Sequence, residues 1–221
     1  MELHHQAKLR NVFVILSQLL TGVSFVSAEA LKSIQLLNPQ MDKGRALMTV
    51  LKDRKSSRAF SSKDLPLQTL SNLLWAAFGV NRPESGQRTA PSAMNWQEID
   101  VYVATAEGLY LYDAKAHALS LEIKKDIRAM TGTQSFVKDA PVNLIYVADF
   151  SKTAGVPDND KVLYSAADTG FIGQNVYLYC AHDGLATVVR GMIDRPALAK
   201  AMKLRPDQKI ILAQSVGFPR E

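Results

Sequence analysis

The sequence predicts an α+β fold, a central, mostly antiparallel sheet flanked by helices, and two observations carry that expectation. Residues 99–123 alternate apolar and polar side chains in three short runs separated by turn residues, as antiparallel strands do. The helical patterns lie before and after that block instead of alternating with single strands, which argues against a chain of βαβ units. Length adds a bound: residues 29–221 suffice for one substantial core and fall short of two comfortable domains.

The first 28 residues, MELHHQAKLRNVFVILSQLLTGVSFVSA, stand apart from that fold. Lys8 and Arg10 precede an apolar run, and small residues close it at Val26-Ser27-Ala28. This is the pattern of a secretory signal peptide. Ser17, Gln18, Thr21, Gly22 and Ser24 interrupt the run, which is too polar for a span of about 20 apolar residues. The expected product is a single domain, 29–221, exported to the periplasm or beyond, with no stable membrane insertion after cleavage.

The elements then follow in order. GRALMTVLK, 44–52, has apolar residues at helical spacing. Pro66 opens a second helix, with Leu70, Leu73, Leu74 and Ala77 on one face and Gly79 as its stop. Residues 80–95 are rich in Gly, Pro, Ser and Arg and are expected to form a loop. Strands are expected at 99–104, 109–112 and 118–123, a short helix at 124–130, and a buried strand at 141–147. A long amphipathic helix spans 160–183, with Gly184 beyond its end. Within it, Gly170 and Gly173 are expected to allow close approach of another helix. A strand at 186–189, a helix at 196–202 and a last buried strand at 209–216 complete the pattern.

Composition excludes several classes of function. The formal net charge of +5 is spread through loops and is not interleaved with aromatics, so no nucleic-acid surface is expected. Cys180, the single cysteine, rules out an intramolecular disulfide, and its apolar helical setting suits a buried thiol. His117 and His182 show no metal-ligand spacing and are expected at the surface.

Three stretches remain that could carry chemistry. In RKSSRAF, 54–60, Arg54, Lys55 and Arg58 gather around Ser56 and Ser57 where a helix ends. Such a corner is either a solvated basic loop or an anion site. In RTAPSAMNWQ, 88–97, Pro91, Ser92 and Ala93 offer a rigid segment without bulk, against which a flat ring can lie; Asn95 offers both donor and acceptor. In GLATVVRGMID, 184–194, a helix stop leads into a short strand and Gly191. Each stretch alone is also an ordinary loop.

Taken in order, these stretches give a chain that resembles the nitroreductase family of FMN-dependent oxidoreductases. The resemblance rests on residues 54–60, Leu73-Leu74-Trp75-Ala76-Ala77-Phe78-Gly79, Arg88-Thr89-Ala90-Pro91-Ser92-Ala93, Asp139-Ala140-Pro141, Gly173-Gln174-Asn175, Gly184-Leu185-Ala186-Thr187 and Ser215-Val216-Gly217-Phe218-Pro219. The R-T-A-P-S-A form is most similar to the branch with azoline-oxidising dehydrogenases. What the resemblance implies is a homodimer with FMN at the subunit interface. Arg54 and Ser56, with Lys55 beside them, match positions that hold the FMN phosphate. Arg58 matches a position near the ribityl chain and pyrimidine end, where it tunes the flavin. Pro91, Ser92 and Ala93 match a stretch along the ring in the facing half of the site, and Asn95 matches an amide at the pyrimidine edge. Arg190 and Gly191 fall where the backbone approaches the reactive side of the ring, and Arg220 is left for a further phosphate contact. Met94 and Trp96 depart from the family's usual small or polar neighbours.

The activity so implied passes a hydride from NAD(P)H to flavin N5 and then two electrons to a small, electron-poor organic acceptor. No side chain need act as nucleophile or metal ligand. Export favours an alternative in which an organic substrate is oxidised and a non-nicotinamide partner takes the electrons. A noncatalytic flavin-binding protein and an interaction domain with a merely basic loop are the readings from other classes. Trp96, Phe136 and Tyr164 are the expected residues at the substrate entrance.

Overall fold

The computed structural model describes residues 33–42 and 44–220, so the expected leader at 1–28 lies outside the described residues. The elements are β1 (Ser33–Gln35), α1 (Leu47–Asp53), α2 (Leu67–Phe78), β2 (Val80–Arg82), β3 (Gln87–Arg88), β4 (Ile99–Ala104), β5 (Leu109–Asp113), β6 (Ala118–Ile123), β7 (Val142–Asp149), α3 (Asp158–Asp183), β8 (Ala186–Arg190), α4 (Arg195–Met202) and β9 (Gln208–Gly217). Seven strands form one sheet in the order β1-β6-β5-β4-β7-β9-β8, and every pairing is antiparallel. This is the α+β architecture the periodicities predict.

Strand β7 lies between β4 and β9, and all eight of its residues are buried. Its run VNLIYVAD is nearly continuous because both faces of the sheet are covered. Val142, Leu144, Tyr146 and Ala148 join the core under α2 and α3, with Leu73, Leu74, Phe78, Ile172 and Val176. Ile145 and Val147 face the other way, into a second core with Leu198 and Met202 of α4. Burying each large apolar side chain contributes roughly 1.5–3 kcal/mol.

Helix α2 follows Pro66 and stops at Gly79, whose backbone is extended. A Cβ at Gly79 would lie 2.5 Å from the Trp75 ring, so only glycine lets the chain leave the helix there. Helix α3 ends on left-handed Gly184, φ +73°. Three expectations are corrected. Residues 80–88 contain a small hairpin, β2–β3, because Thr89 N–H bonds to the Gly79 carbonyl and folds the segment back. The helix expected at 124–130 shrinks to a 3₁₀ turn, Arg128–Thr131. Gly173 faces the sheet, its missing Cβ 3.4 Å from Val189, while open space surrounds Gly170; among the described residues no second helix lies against either.

His117 is not a plain surface residue. Its ring bonds to the Ser71 and Tyr112 hydroxyls at 2.8 and 2.9 Å and lies 3.0 Å from the Leu37 carbonyl, and partial burial lowers its pKa. Cys180 is fully buried, as expected, and burial pushes its thiol pKa up. No helix among the described residues is long and apolar enough to cross a membrane.

Leu144 sits at 0 % exposure in the middle of this sheet. Leu144→Ala should cost about 2–5 kcal/mol, lowering the melting temperature by roughly 2–4 °C per kcal/mol. A loss under about 1 kcal/mol in a urea titration would contradict the two-faced burial of β7.

Candidate functional site

The basic corner begins where α1 stops. Arg54 N–H closes the helix on the Val50 carbonyl at 2.9 Å, and the chain then leaves helical geometry. Continuing the helix would stack Arg54 and Arg58 four residues apart on one face, an unfavourable like-charge pair. The corner instead docks on β8, the edge strand of the sheet. Ser57 N–H donates to the Thr187 carbonyl at 2.9 Å. The Tyr177 hydroxyl of α3 accepts the Val189 N–H at 3.0 Å and bonds to Ser56 Oγ at 2.8 Å. The Arg54 guanidinium lies 5.2 Å from the centre of the Tyr177 ring.

Neighbouring residues of the corner turn to different sides. Arg54 and Ser56 meet Tyr177, while Lys55 and Ser57 line a cleft of about 620 Å³ with Lys52, Thr187 and Arg220. Arg220 donates to the Phe60 carbonyl at 3.0 Å and lies 3.5 Å from Asp139. The structure therefore groups Arg220 with Lys55 in that cleft. Arg58 is exposed, and among the described residues Arg54, Lys55 and Arg58 meet no carboxylate.

The second stretch is held from behind. Arg88 donates to Gln97 Oε1 at 2.8 Å, stacks 4.4 Å over Phe78, and has its pKa lowered by burial. Ser92 Oγ accepts Gln97 N–H at 3.0 Å, and Ala93 N–H donates to Asp168 of α3 at 2.8 Å. Between these ties, Met94, Asn95 and Gln97 take left-handed conformations with φ of 50°, 55° and 49°. Such values are uncommon outside glycine and cluster at functional sites. Pro91 is exposed, Met94 is 83 % exposed, and Asn95 Oδ1 accepts from the Gln97 amide. Trp96 packs edge-on against Tyr164, 5.9 Å between centroids, whereas Phe136 packs on Phe60 at the margin of a core cluster.

The third stretch contributes backbone. Arg190 turns its guanidinium into the core, to the Thr131 carbonyl at 2.6 Å and Asn143 Oδ1 at 2.9 Å. Burial lowers its pKa to about 10. Its side chain is thus structural, and what remains at the edge is its main chain and exposed Gly191. No group of three metal-ligating side chains is present among the described residues.

The sequence reading puts the corner and the 91–95 loop in facing halves of one site; within one chain they are anchored at separate points of α3. Asp168 and Tyr177, their respective anchors, are nine residues apart on α3. That is about 14 Å and 2.5 turns, on opposite edges of the helix's buried stripe. Tyr177, Asp168 and Glu98 were missed as supports, because each sits within a pattern that already has a packing explanation. Only the hydroxyl on Tyr177 at the margin of the apolar stripe was visible as a signal.

An anion fits the corner on chemical grounds: among the described residues Arg54 and Arg58 form no ion pair, and the Ser56 hydroxyl lies on Tyr177 beside Arg54. The model of the nitroreductase family matches residues 51–218. A provisionally named nitroreductase of Methanocaldococcus jannaschii is 31% identical over 169 residues, 72% of this chain and 85% of the relative. The crystal structure of a provisionally named nitroreductase from Ralstonia eutropha superposes with TM-score 0.82 at 46% identity, over 86% of this chain and 90% of that one. A chain of the Escherichia coli microcin synthetase complex shares the fold, with TM-score 0.66 and 19% identity, over 93% and 85% of the two chains.

Removing the Tyr177 hydroxyl should free the corner from the sheet edge. Tyr177→Phe is expected to cost about 1 kcal/mol, since Val189 N–H and Ser56 both lose a partner. An unchanged denaturant midpoint would show that the hydroxyl holds nothing.

Proposed function

This chain belongs to the nitroreductase family, and from that premise we propose that it is an FMN-dependent enzyme that carries two electrons from a reduced nicotinamide to an electron-poor organic acceptor. That it is an oxidoreductase follows from the family. The observation that carries the finer reading is the corner of Arg54, Ser56 and Arg58, whose cations form no ion pair among the described residues and whose charge a phosphate dianion would offset.

The chemistry that FMN supplies when bound is two-electron transfer through N5. The residues of this chain bind and orient. Arg54 and Ser56 would hold the phosphate, with Tyr177 fixing Ser56 from behind. Arg58, exposed beside them, would set positive charge toward the ribityl chain and pyrimidine end. The main chain at 190–191, fixed by the buried Arg190 guanidinium, would approach the reactive side of the ring.

In this reading the 91–95 loop reaches such a ring from a second copy, which the anchoring of loop and corner on opposite edges of α3 supports. A homodimer with two shared sites is therefore part of this proposal. Exposed apolar side chains support it: Leu47, Met48 and Leu51 on α1, and Val162, Leu163 and Phe171 on α3. The leader pattern at 1–28 supports export as a further proposal and favours a second reading of the donor. An exported enzyme would oxidise an organic substrate and use a non-nicotinamide electron partner.

The purified full chain is expected to be yellow and to release FMN, identified by mass. Anaerobic mixing with NADH or NADPH should bleach the flavin; colour that persists with both donors favours the second reading. Arg54→Ala should weaken FMN binding by ~10- to 100-fold, the range for one charge-assisted hydrogen bond. Arg58→Ala should retain flavin better and slow its reduction. A folded dimer that stays colourless and takes up no FMN would overturn the proposal.

A further inference from the structure

Behind the 91–97 loop lies a pair of carboxyl groups for which the proposed chemistry has no use. Glu98 is fully buried, and Asp168 is 2 % exposed. Neither Glu98 carboxyl oxygen finds a donor in the structure, and the buried hydroxyls of Ser165 and Thr169 are also without partners. Ser165, Asp168 and Thr169 share one face of α3, and Ser165 and Asp168 both face Glu98. Every cation nearby is engaged elsewhere. Lys152 pairs with Asp100 at 2.8 Å, and Arg205 with Asp149 at 2.9 Å. Arg88 is tied to Gln97 and Phe78. Asp149 touches Glu98 only through its N–H, which donates to the Glu98 carbonyl.

Two adjacent carboxylates cannot both stay ionised in a dry interior without a cation. One proton therefore lies between them. Burial raises the Asp168 pKa as well, but Asp168 accepts the Ala93 N–H at 2.8 Å, which favours its ionised form and gives it a donor that Glu98 lacks. The proton then resides on Glu98, whose pKa is raised by burial first and by the charge of Asp168 second.

We propose that Glu98 is a positioning residue: as the proton-bearing partner of Asp168, it keeps that carboxylate fixed on Ala93 N–H and so latches the 92–97 loop in its left-handed shape. That the loop faces a cofactor rests on the function proposed above; the latch does not. The sign of the pH dependence follows. The folded pair retains a proton that an unfolded chain, with ordinary carboxyls near 4.5 and 3.8, gives up. The contribution is fully present in acid and is lost as pH rises from there through the folded titration.

Trp96 lies in the loop and reports on it. In a Trp75→Phe background, where Trp96 is the sole tryptophan, its emission in the cofactor-free full chain should move to longer wavelength as pH rises, while far-UV circular dichroism stays constant. Glu98→Gln, whose amide donates to Asp168 at any pH, should hold the low-pH emission throughout. FMN affinity should fall ~10-fold per pH unit above the transition in the parent and change less than about 2-fold in Glu98→Gln. If Glu98→Gln does not fold, Asp168→Asn provides the same comparison, because its amide oxygen still accepts from Ala93 and its NH₂ donates to Glu98. A flat parent profile overturns the latch, as does a transition kept unchanged in these variants or one that coincides with loss of helix. Failure of FMN to bind at every pH strikes the proposed function instead, and the Trp96 profile still judges the latch.

Discussion

The placement of α3 governs the rest of the molecule. A helix of 26 residues carries two edges to every buried stripe, and this one spends its stripe on the sheet and α2 through Ile172, Gly173, Val176 and Cys180. What lies on its edges is thereby fixed in space. One edge presents Asp168 to the 91–97 loop, the other presents Tyr177 to the basic corner. Helix geometry puts these anchors about 14 Å apart and facing away from each other. In the function proposed above, a ligand that meets both loops would be shared between two copies.

Charge is handled in two opposite ways around this frame. At the corner, Arg54 and Arg58 remain near solvent, where water screens their repulsion and an arriving anion can replace it. In the interior, Arg190 and the Glu98–Asp168 pair have no opposite charge to meet. Arg190 is met by neutral oxygens, the Thr131 carbonyl and Asn143 Oδ1, and Gly132 leaves it room, since a Cβ there would stand 2.1 Å from Arg190 Nη1. The carboxyl pair is met by a proton. Both arrangements hold backbone next to the candidate site, and both cost desolvation that a plain apolar core would avoid.

The fold was largely legible because its signals are periodic. Alternation located β4, β5 and β6, and Pro66, Gly79 and Gly184 marked where helices begin or end. The β2–β3 hairpin was not, since its strands of three and two residues are too short to show a period. The basic corner was legible by composition alone. Its division into a Tyr177 side and a Lys55–Arg220 side was not, because it depends on Ser57 N–H meeting Thr187, a contact across 130 positions. Arg190 shows the same limit. Sequence order placed it beside Gly191, yet a strand sends successive side chains to opposite faces, and Arg190 drew the inward one.

The 92–97 loop raises a question of energy that its contacts answer. A left-handed conformation costs an L-residue roughly 1–2 kcal/mol, and this loop adopts it at Met94, Asn95 and Gln97. Asn tolerates the region through its short polar side chain; Met has no such compensation, and its side chain is left in solvent. Contacts at both ends must therefore impose the shape. Ser92 Oγ takes Gln97 N–H, Asn95 and Arg88 both hold the Gln97 amide, and Asp168 takes Ala93 N–H. Each bond is worth about 1 kcal/mol, more for the charged partners Arg88 and Asp168, and Gln97 is held further by the Gly86 carbonyl and by Lys152. A loop so held is shaped before any ligand arrives, and Asp168 is the tie through which Glu98 acts on it.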